Sequence, residues 1–319
     1  MKLRDFFDSL IDQGIQKDPR GVDAIKELLQ ERKEKFEKLP ADEKEEFDIE
    51  TLSNPYADSR LLHGNGDEEI VSILAGIDME TPELLLANTL KSMGKRIDAV
   101  MTHHPEGRAY ATFYRVMELQ ADVLNKFGIP INVAESLTDT RMKEVGRRVS
   151  GQNHTRAVDA AKLLGIPFFS AHTVADNQVT EHLQELFDTK RPKNLGKIVA
   201  LLKEIPEYKD ATATGVGPTI LIGSKESRAG KIFVDMTGGT EGAKEAIEKL
   251  VNAGVGTLVG MHMSEDHYKK AQEHHLNVVI AGHISSDNLG MNLILDAIEK
   301  KHGRLEVIEC SGFRRFKRS

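Results

Sequence analysis

Ile97-Asp98-Ala99-Val100-Met101-Thr102-His103-His104-Pro105 is an apolar run that hands two adjacent histidines to a loop. It reads as a buried strand, with the proline marking its end. Asn277-Val278-Val279-Ile280-Ala281-Gly282-His283 repeats the arrangement far downstream. Ile166-Pro167-Phe168-Phe169-Ser170-Ala171-His172 is a third strand that ends on histidine. In open α/β sheets, ligands and catalytic groups collect at the carboxyl ends of strands. Neutral imidazole is the commonest protein metal ligand. Strand ends that meet in one cleft would make a metal site.

Outward from these runs, strand and helix alternate, which sets the class as α/β. Ile70 to Ile77 reads as a strand and Pro82 to Met93 as a helix. Ala111 to Phe127 reads as one long amphipathic helix. Leu137 to Val149, Thr155 to Leu164 and Val179 to Phe187 read as further helices. The polar stretch Lys190 to Asn194, with Pro192, marks a hinge or domain boundary. Beyond it, Ile220 to Gly223, Ile232 to Asp235, Gly256 to Val259 and Leu305 to Glu309 read as strands. Gly242 to Asn252, Glu265 to His274 and Leu289 to Lys300 read as helices. Residues 1 to about 50 are helical and charged, and Gln30 to Glu46 suggests an exposed hairpin for packing or oligomer contact.

The chain has 319 residues, 39% hydrophobic and 29% charged, with a net charge of −7. That balance is ordinary for a soluble globular protein. It argues against general nucleic-acid binding, because counterion release needs a basic face. No apolar run approaches the roughly 20 residues that span a bilayer. The start, Met1 to Asp5, lacks the apolar core of a signal peptide. A cytoplasmic location is the expectation. Cys310 is the only cysteine. Disulfide frameworks and thiolate clusters within one chain are excluded, so a metal would need nitrogen and oxygen ligands.

Three loops offer them: His103-His104, His172 with Asp176, and His283 with Asp287. In the last two, an aspartate follows the histidine by four residues. A turn there can point both side chains the same way. Adjacent histidines diverge on an extended strand, so they suit two neighbouring ions. Carboxylates can bridge such ions, and a dinuclear centre activates water. The plainer reading is a set of capped or solvent-facing histidines, since such clusters are hypotheses until shown to converge. His274-His275 reads as a favourable helix end. His262 and His267 read as solvated or supporting residues of the same cleft. Asp98, inside a strand, reads as a hydrogen-bond partner of backbone. Gly215 to Pro218 and Thr237 to Thr240 read mostly as turns. The free amides after the second suit a phosphate, but Glu241 opposes one there. The basic tail Arg314 to Arg318 reads as a solvated end, or one that reaches a neighbouring subunit or a phosphorylated ligand.

Taken together, these motifs resemble the Nif-three-like family (NGG-interacting-factor-three-like proteins), often called GTP cyclohydrolase I type 2. The resemblance runs from about Asp58 onward. It rests on Asp58 to Gly64, Ala75-Gly76-Ile77-Asp78, Thr102-His103-His104-Pro105, Ala171-His172-Thr173 with Asp176, and Gly282-His283 with Asp287. It implies His103, His104, Asp176, His283 and Asp287 as metal ligands. Asp287 stands where the family has glutamate, one methylene longer, which bears on whether it bridges two ions. Gly260-Met261-His262 stands near the family's usual Gly-Glu pair. The resemblance further implies two α/β lobes with a dinuclear centre in the cleft between them. With the helical N-terminal extension, that gives residues 1–50, a first lobe of 51–190 and a second of 191–319, chain ends being free to cross. It implies two divalent ions (iron, zinc or manganese) and a ring-shaped homo-oligomer, commonly a hexamer.

The expected function is metal-dependent hydrolysis of a small nucleotide-like or phosphorylated substrate by metal-activated water. His172 would orient the middle loop, and His262 is a guess for a base. The rival is a metal-delivery or regulatory protein without turnover, helping to assemble a cofactor. In a third reading, metal merely ties the lobes together.

Overall fold

The computed structural model describes residues 1–318. In chain order the strands are β1 (Leu61–His63), β2 (Ser72–Gly76), β3 (Ala99–Thr102), β4 (Phe168–Ser170), β5 (Thr219–Ile222), β6 (Lys231–Asp235), β7 (Val255–Gly260), β8 (Asn277–Ile280) and β9 (Glu306–Glu309). The α-helices are α1 (Leu3–Gln16), α2 (Val22–Glu37), α3 (Ala41–Glu46), α4 (Thr81–Ser92), α5 (Gly107–Thr112), α6 (Glu118–Lys126), α7 (Ile131–Val149), α8 (Arg156–Leu164), α9 (Thr173–Lys190), α10 (Leu195–Glu204), α11 (Pro206–Ala213), α12 (Ala246–Asn252), α13 (Glu265–Glu273) and α14 (His283–His302).

The strands form two sheets, ordered β1-β4-β3-β2-β9 and β5-β8-β7-β6. Each is parallel except for one antiparallel edge strand, β1 in the first and β5 in the second. Every residue of β2 and β3 is buried. Such continuous apolar runs belong to parallel strands covered on both faces. Asp98, at the foot of β3, accepts hydrogen bonds from the amides of Val71 (2.8 Å) and Ser72 (2.9 Å), the structural role read from its sequence position.

Helices α9 and α14 contribute to the cores of both sheets. Val174 and Ala175 of α9 pack with Met291 and Ile294 of α14 in the core of the first sheet. Val179 and Leu183, one or two turns on in α9, and Leu289 of α14 join the core of the second. The helices approach closely because Gly290 carries no side chain: a Cβ there would lie 2.4 Å from the Ala175 carbonyl oxygen. The last strand, β9, pairs with β2, so the chain ends in the sheet where it began.

Several elements differ from the sequence expectation, each for a physical reason. The amphipathic pattern of Ala111 to Phe127 is divided into α5, a 3₁₀ turn over Phe113–Met117 and α6. That turn seats the Gly239 backbone against Val116 and Phe113. Helix α1 is part of the core: Leu3, Phe6, Phe7 and Leu10 are fully buried, and Phe6 lies edge-on to Phe169 at 5.4 Å. Each buried Phe or Leu of this kind contributes about 1.5–3 kcal/mol. Gln30 to Glu46, expected as an exposed hairpin, falls on the exposed parts of α2 and α3. The basic tail folds back onto α14. Arg315 pairs with Asp296 (2.5 Å) and Glu299 (2.7 Å), and Arg318 with Glu207 (2.7 Å).

Candidate metal centre

Three strand ends converge. After β3, the amides of His103 and His104 bond to the carbonyls of Gly76 (3.0 Å) and Ile77 (2.9 Å), which fixes the loop against the end of β2. After β4, Ala171 leads to His172, the residue that opens α9, so Asp176 stands in the first turn of that helix. After β8, Gly282 turns with φ 111°, a conformation suited to glycine. Helix α14 then starts at His283, and Asp287 follows one turn later. Both helix N-termini face the cluster, and their dipoles favour carboxylates there.

The five residues expected as ligands come together. His103 Nε2 lies 3.5 Å from Asp176 Oδ1 and 3.4 Å from Asp287 Oδ1. On the other side, Asp287 Oδ2 lies 3.6 Å from both His104 Nε2 and His283 Nε2. The two oxygens of Asp287 therefore face different histidines. His172 Nε2 joins the array 3.7 Å from Asp176 Oδ2. Ligand atoms of His103, Asp176 and Asp287 lie within 4.8 Å of one another, as do those of His104, His283 and Asp287, and those of His103, His104 and His172.

Supporting groups fix the imidazoles. Nδ1 of His104 donates to Asp78 Oδ1 at 2.6 Å, that of His172 to Asp58 Oδ2 at 2.8 Å, and that of His103 to the Ala171 carbonyl at 3.2 Å. This pattern frees the Nε2 of His103 and of His104 for the centre, and such outer partners are usual for metal-bound histidines. Asp58, fully buried, also accepts the Thr173 hydroxyl at 2.6 Å. Asp58 and Asp78 were legible only as parts of family-like segments; patterning alone gave them no role. Asp58→Asn or Asp78→Asn should weaken metal binding about 10–100-fold. A chelator-competition titration reads this directly.

The donors fit a cation better than they fit each other. His103 Nε2, Asp176 Oδ1 and both Asp287 oxygens are buried without a hydrogen-bond partner. Buried polar groups are nearly always partnered, so four orphans in one place call for an occupant. At cation–ligand distances of about 2.1 Å, neighbouring ligand atoms sit roughly 3–3.5 Å apart. The observed separations of 3.4–3.6 Å match that spacing and exceed hydrogen-bond length.

The ionisation pattern agrees. Burial holds His103 down at about 4, so its imidazole is neutral at pH 7. Burial pushes Asp176 up to about 8, with Asp287 and Asp58 adding to the effect. Burial opposes the charged form of His172 as well, but Asp176 and Asp58 outweigh it and raise His172 to about 9. The metal-free cluster thus holds a proton on Asp176 at pH 7, and a cation must displace it. Metal affinity should rise with pH until Asp176 is deprotonated above about 8. Calorimetry in buffers of different ionisation enthalpy should show proton release at pH 7, and release should fade as the pH passes that value.

The cluster heads a cavity of about 440 Å³ that reaches toward β6, β7 and α12. His262 and His267 line it. The His262 ring lies 4.8 Å from that of His283. His267 is tied to Ser264 Oγ (2.7 Å) and the Gly242 carbonyl (3.0 Å). Gln120 donates to the Gly238 (2.9 Å) and Thr240 (2.7 Å) carbonyls, and so holds the glycine turn along the cavity wall. The following helix begins at Ala246, later than its sequence suggests, so the turn does not open directly onto it.

Among solved structures, the chain is similar to a NIF3 superfamily protein from Sphaerobacter thermophilus. The two are 26% identical, with a TM-score of 0.69, over 80% of this chain and 91% of that one. The likeness supports a NIF3-like assignment. Reduced HcgD from Methanocaldococcus jannaschii is 18% identical, with a TM-score of 0.47, over 79% and 87% of the two chains. No protein-family model and no curated protein matches the sequence. The mixed α/β fold expected of NIF3-like proteins is therefore present, with a buried His/Asp cluster fit to hold metal. No helix among the described residues is long and apolar enough to cross a membrane.

Proposed function

We propose that this NIF3-like protein is a dinuclear metal-dependent hydrolase of a small molecule. His103, Asp176 and one oxygen of Asp287 would hold one divalent cation; His104, His283 and the other oxygen would hold the second. The observation that carries the reading is the convergence of four unpartnered, buried ligand atoms at the head of a cavity. Nitrogen and oxygen donors suit iron, zinc or manganese alike. Bound there, such ions supply Lewis acidity and an activated water. The chain's own residues do the rest. Asp58 and Asp78 orient imidazoles, α9 and α14 set the carboxylates, and the cavity receives the substrate. His262, on the cavity wall beside His283 and 3.7 Å from Glu241, is the imidazole best placed to exchange a proton with the substrate. A homo-oligomer, of the hexameric ring type, and a cytoplasmic location belong to the same reading and rest on the family likeness.

A second reading, metal delivery, draws on an asymmetry. His103, Asp176 and Asp287 are buried, whereas the His283 side chain is 40% exposed, so one side of the pair is open to exchange. One experiment separates the two. The protein is loaded with iron, zinc or manganese and assayed on model amides, cyclic amidines and phosphate esters. Metal-dependent turnover that Asp287→Ala abolishes supports the hydrolase. Stoichiometric metal without turnover, with transfer to an acceptor chelator, supports delivery.

A further inference from the structure

We infer that the cavity selects an apolar ring bearing a neutral or positively charged nitrogen group, with Asp235 as the specificity residue, and that it rejects phosphorylated molecules. The inference rests on the hydrolase reading of the same cavity and names its substrate class.

The charge of the walls comes first. Beyond Asp176 and Asp287, the cavity is lined by Asp78, Glu80, Glu106, Asp235 and Glu241, and by no lysine or arginine. Two divalent cations would bring four positive charges. Asp176 and Asp287 offset two of them, and the five further carboxylates exceed the two that remain even though burial pushes Glu106 up to about 7 and leaves it only partly charged. A phosphate ester would enter a net negative chamber with no guanidinium or ammonium to receive it. Gln120, whose amide might have served, is already committed to the Gly238 and Thr240 carbonyls.

Asp235 stands at the carboxyl end of β6 and lines the same cavity as His104, Asp176, His283 and Asp287. The influences on its carboxyl are burial and the nearby Glu241, with no cation or hydrogen-bond donor among them; it is pushed up to about 6. It is a carboxyl in want of a positive partner. The cavity it lines also has an apolar wall of Leu124, Phe233, Ile247, Leu250 and Leu258. A flat ring buried there would set a nitrogen substituent against Asp235, where a charge-assisted hydrogen bond is strong. Asp176 and Asp287, whose unpartnered oxygens belong to the metal cluster, line the same space.

The test uses the metal-loaded, full-length protein and three probes of one shape: benzamidine, benzamide and phenyl phosphate. Affinities come from ligand-observed NMR titration, with metal content measured on the same samples. Benzamidine should bind tighter than phenyl phosphate. Asp235→Asn should weaken benzamidine about tenfold, a loss of about 1.4 kcal/mol, and leave benzamide nearly unchanged. Tightest binding by phenyl phosphate would overturn the inference. So would an unchanged benzamidine affinity in Asp235→Asn, or no binding by any of the three. A preference for benzamidine in protein that takes up no metal would defeat the hydrolase reading and leave the charge selection standing.

Discussion

Asp287→Ala is expected to remove both cations at once. Its two oxygens face different histidine sets at 3.4 and 3.6 Å, so no other single residue serves both sides. His103→Ala and His283→Ala should each deplete the ion on their own side and leave most helical content intact. Elemental analysis of protein purified without added metal reads the difference, with circular dichroism as the control for folding. The alanine at 287 also removes a buried carboxylate that has no hydrogen-bond partner. Burial opposes that carboxylate, but His103, His104 and His283 outweigh it and hold its pKa below the usual carboxylate range, so metal-free Asp287→Ala should be less stable than metal-free parent at pH 7. Full metal occupancy in the His103 and His283 variants would show the ligand assignment to be wrong.

Gly290→Val is expected to do comparable damage without touching a ligand. The Cβ would meet the Ala175 carbonyl oxygen at 2.4 Å, and that oxygen is backbone. Overpacking of this kind costs about 1–3 kcal/mol. The strain falls between α9 and α14, one residue from Asp176 and three from Asp287. Thermal unfolding should shift down, and metal affinity should fall more than the stability loss alone explains, because the helices that carry the two carboxylates are forced apart. The close approach also bears on the shorter acid at position 287. With α14 drawn against α9, an aspartate reaches positions that a wider spacing would leave to a glutamate. A metal titration of Gly290→Ala, the milder case, should fall between parent and valine.

The strand ends were legible in the sequence because three apolar runs lead to His103-His104, His172 and His283, and buried parallel strands have no other signature. The helix starts were less so. Patterning begins α9 near Val179 and α14 near Leu289, whereas they begin at Thr173 and His283. The missed turns are polar, and polarity ordinarily signals solvent. Here two of those side chains, Asn177 and Asn288, are buried and satisfied internally. Asn177 donates to the Gly14 carbonyl (3.2 Å) and the Tyr56 hydroxyl (3.2 Å), and Asn288 to the Ile284 (2.7 Å) and Gly312 (3.0 Å) carbonyls. The consequence matters for function. Asp176 and Asp287 stand on rigid helix turns, and the site is held more firmly than loops would hold it.

Other features depend on long-range partners that no local pattern encodes. The Arg315 and Arg318 pairings with α14 and Glu207 made a basic tail into part of the fold. The five acidic cavity residues beyond the cluster come from segments far apart in the chain, so the charge of the chamber emerges only when those segments meet. The phosphorylated substrate class suggested by the resemblance sits poorly with that chamber.

The most direct measurement is anomalous X-ray scattering from crystals of protein purified without added metal. Two peaks are expected, one bounded by His103, Asp176 and Asp287 and the other by His104, His283 and Asp287. An absence of anomalous signal at Asp287, in crystals of fully folded protein supplied with iron, zinc or manganese, would contradict the account.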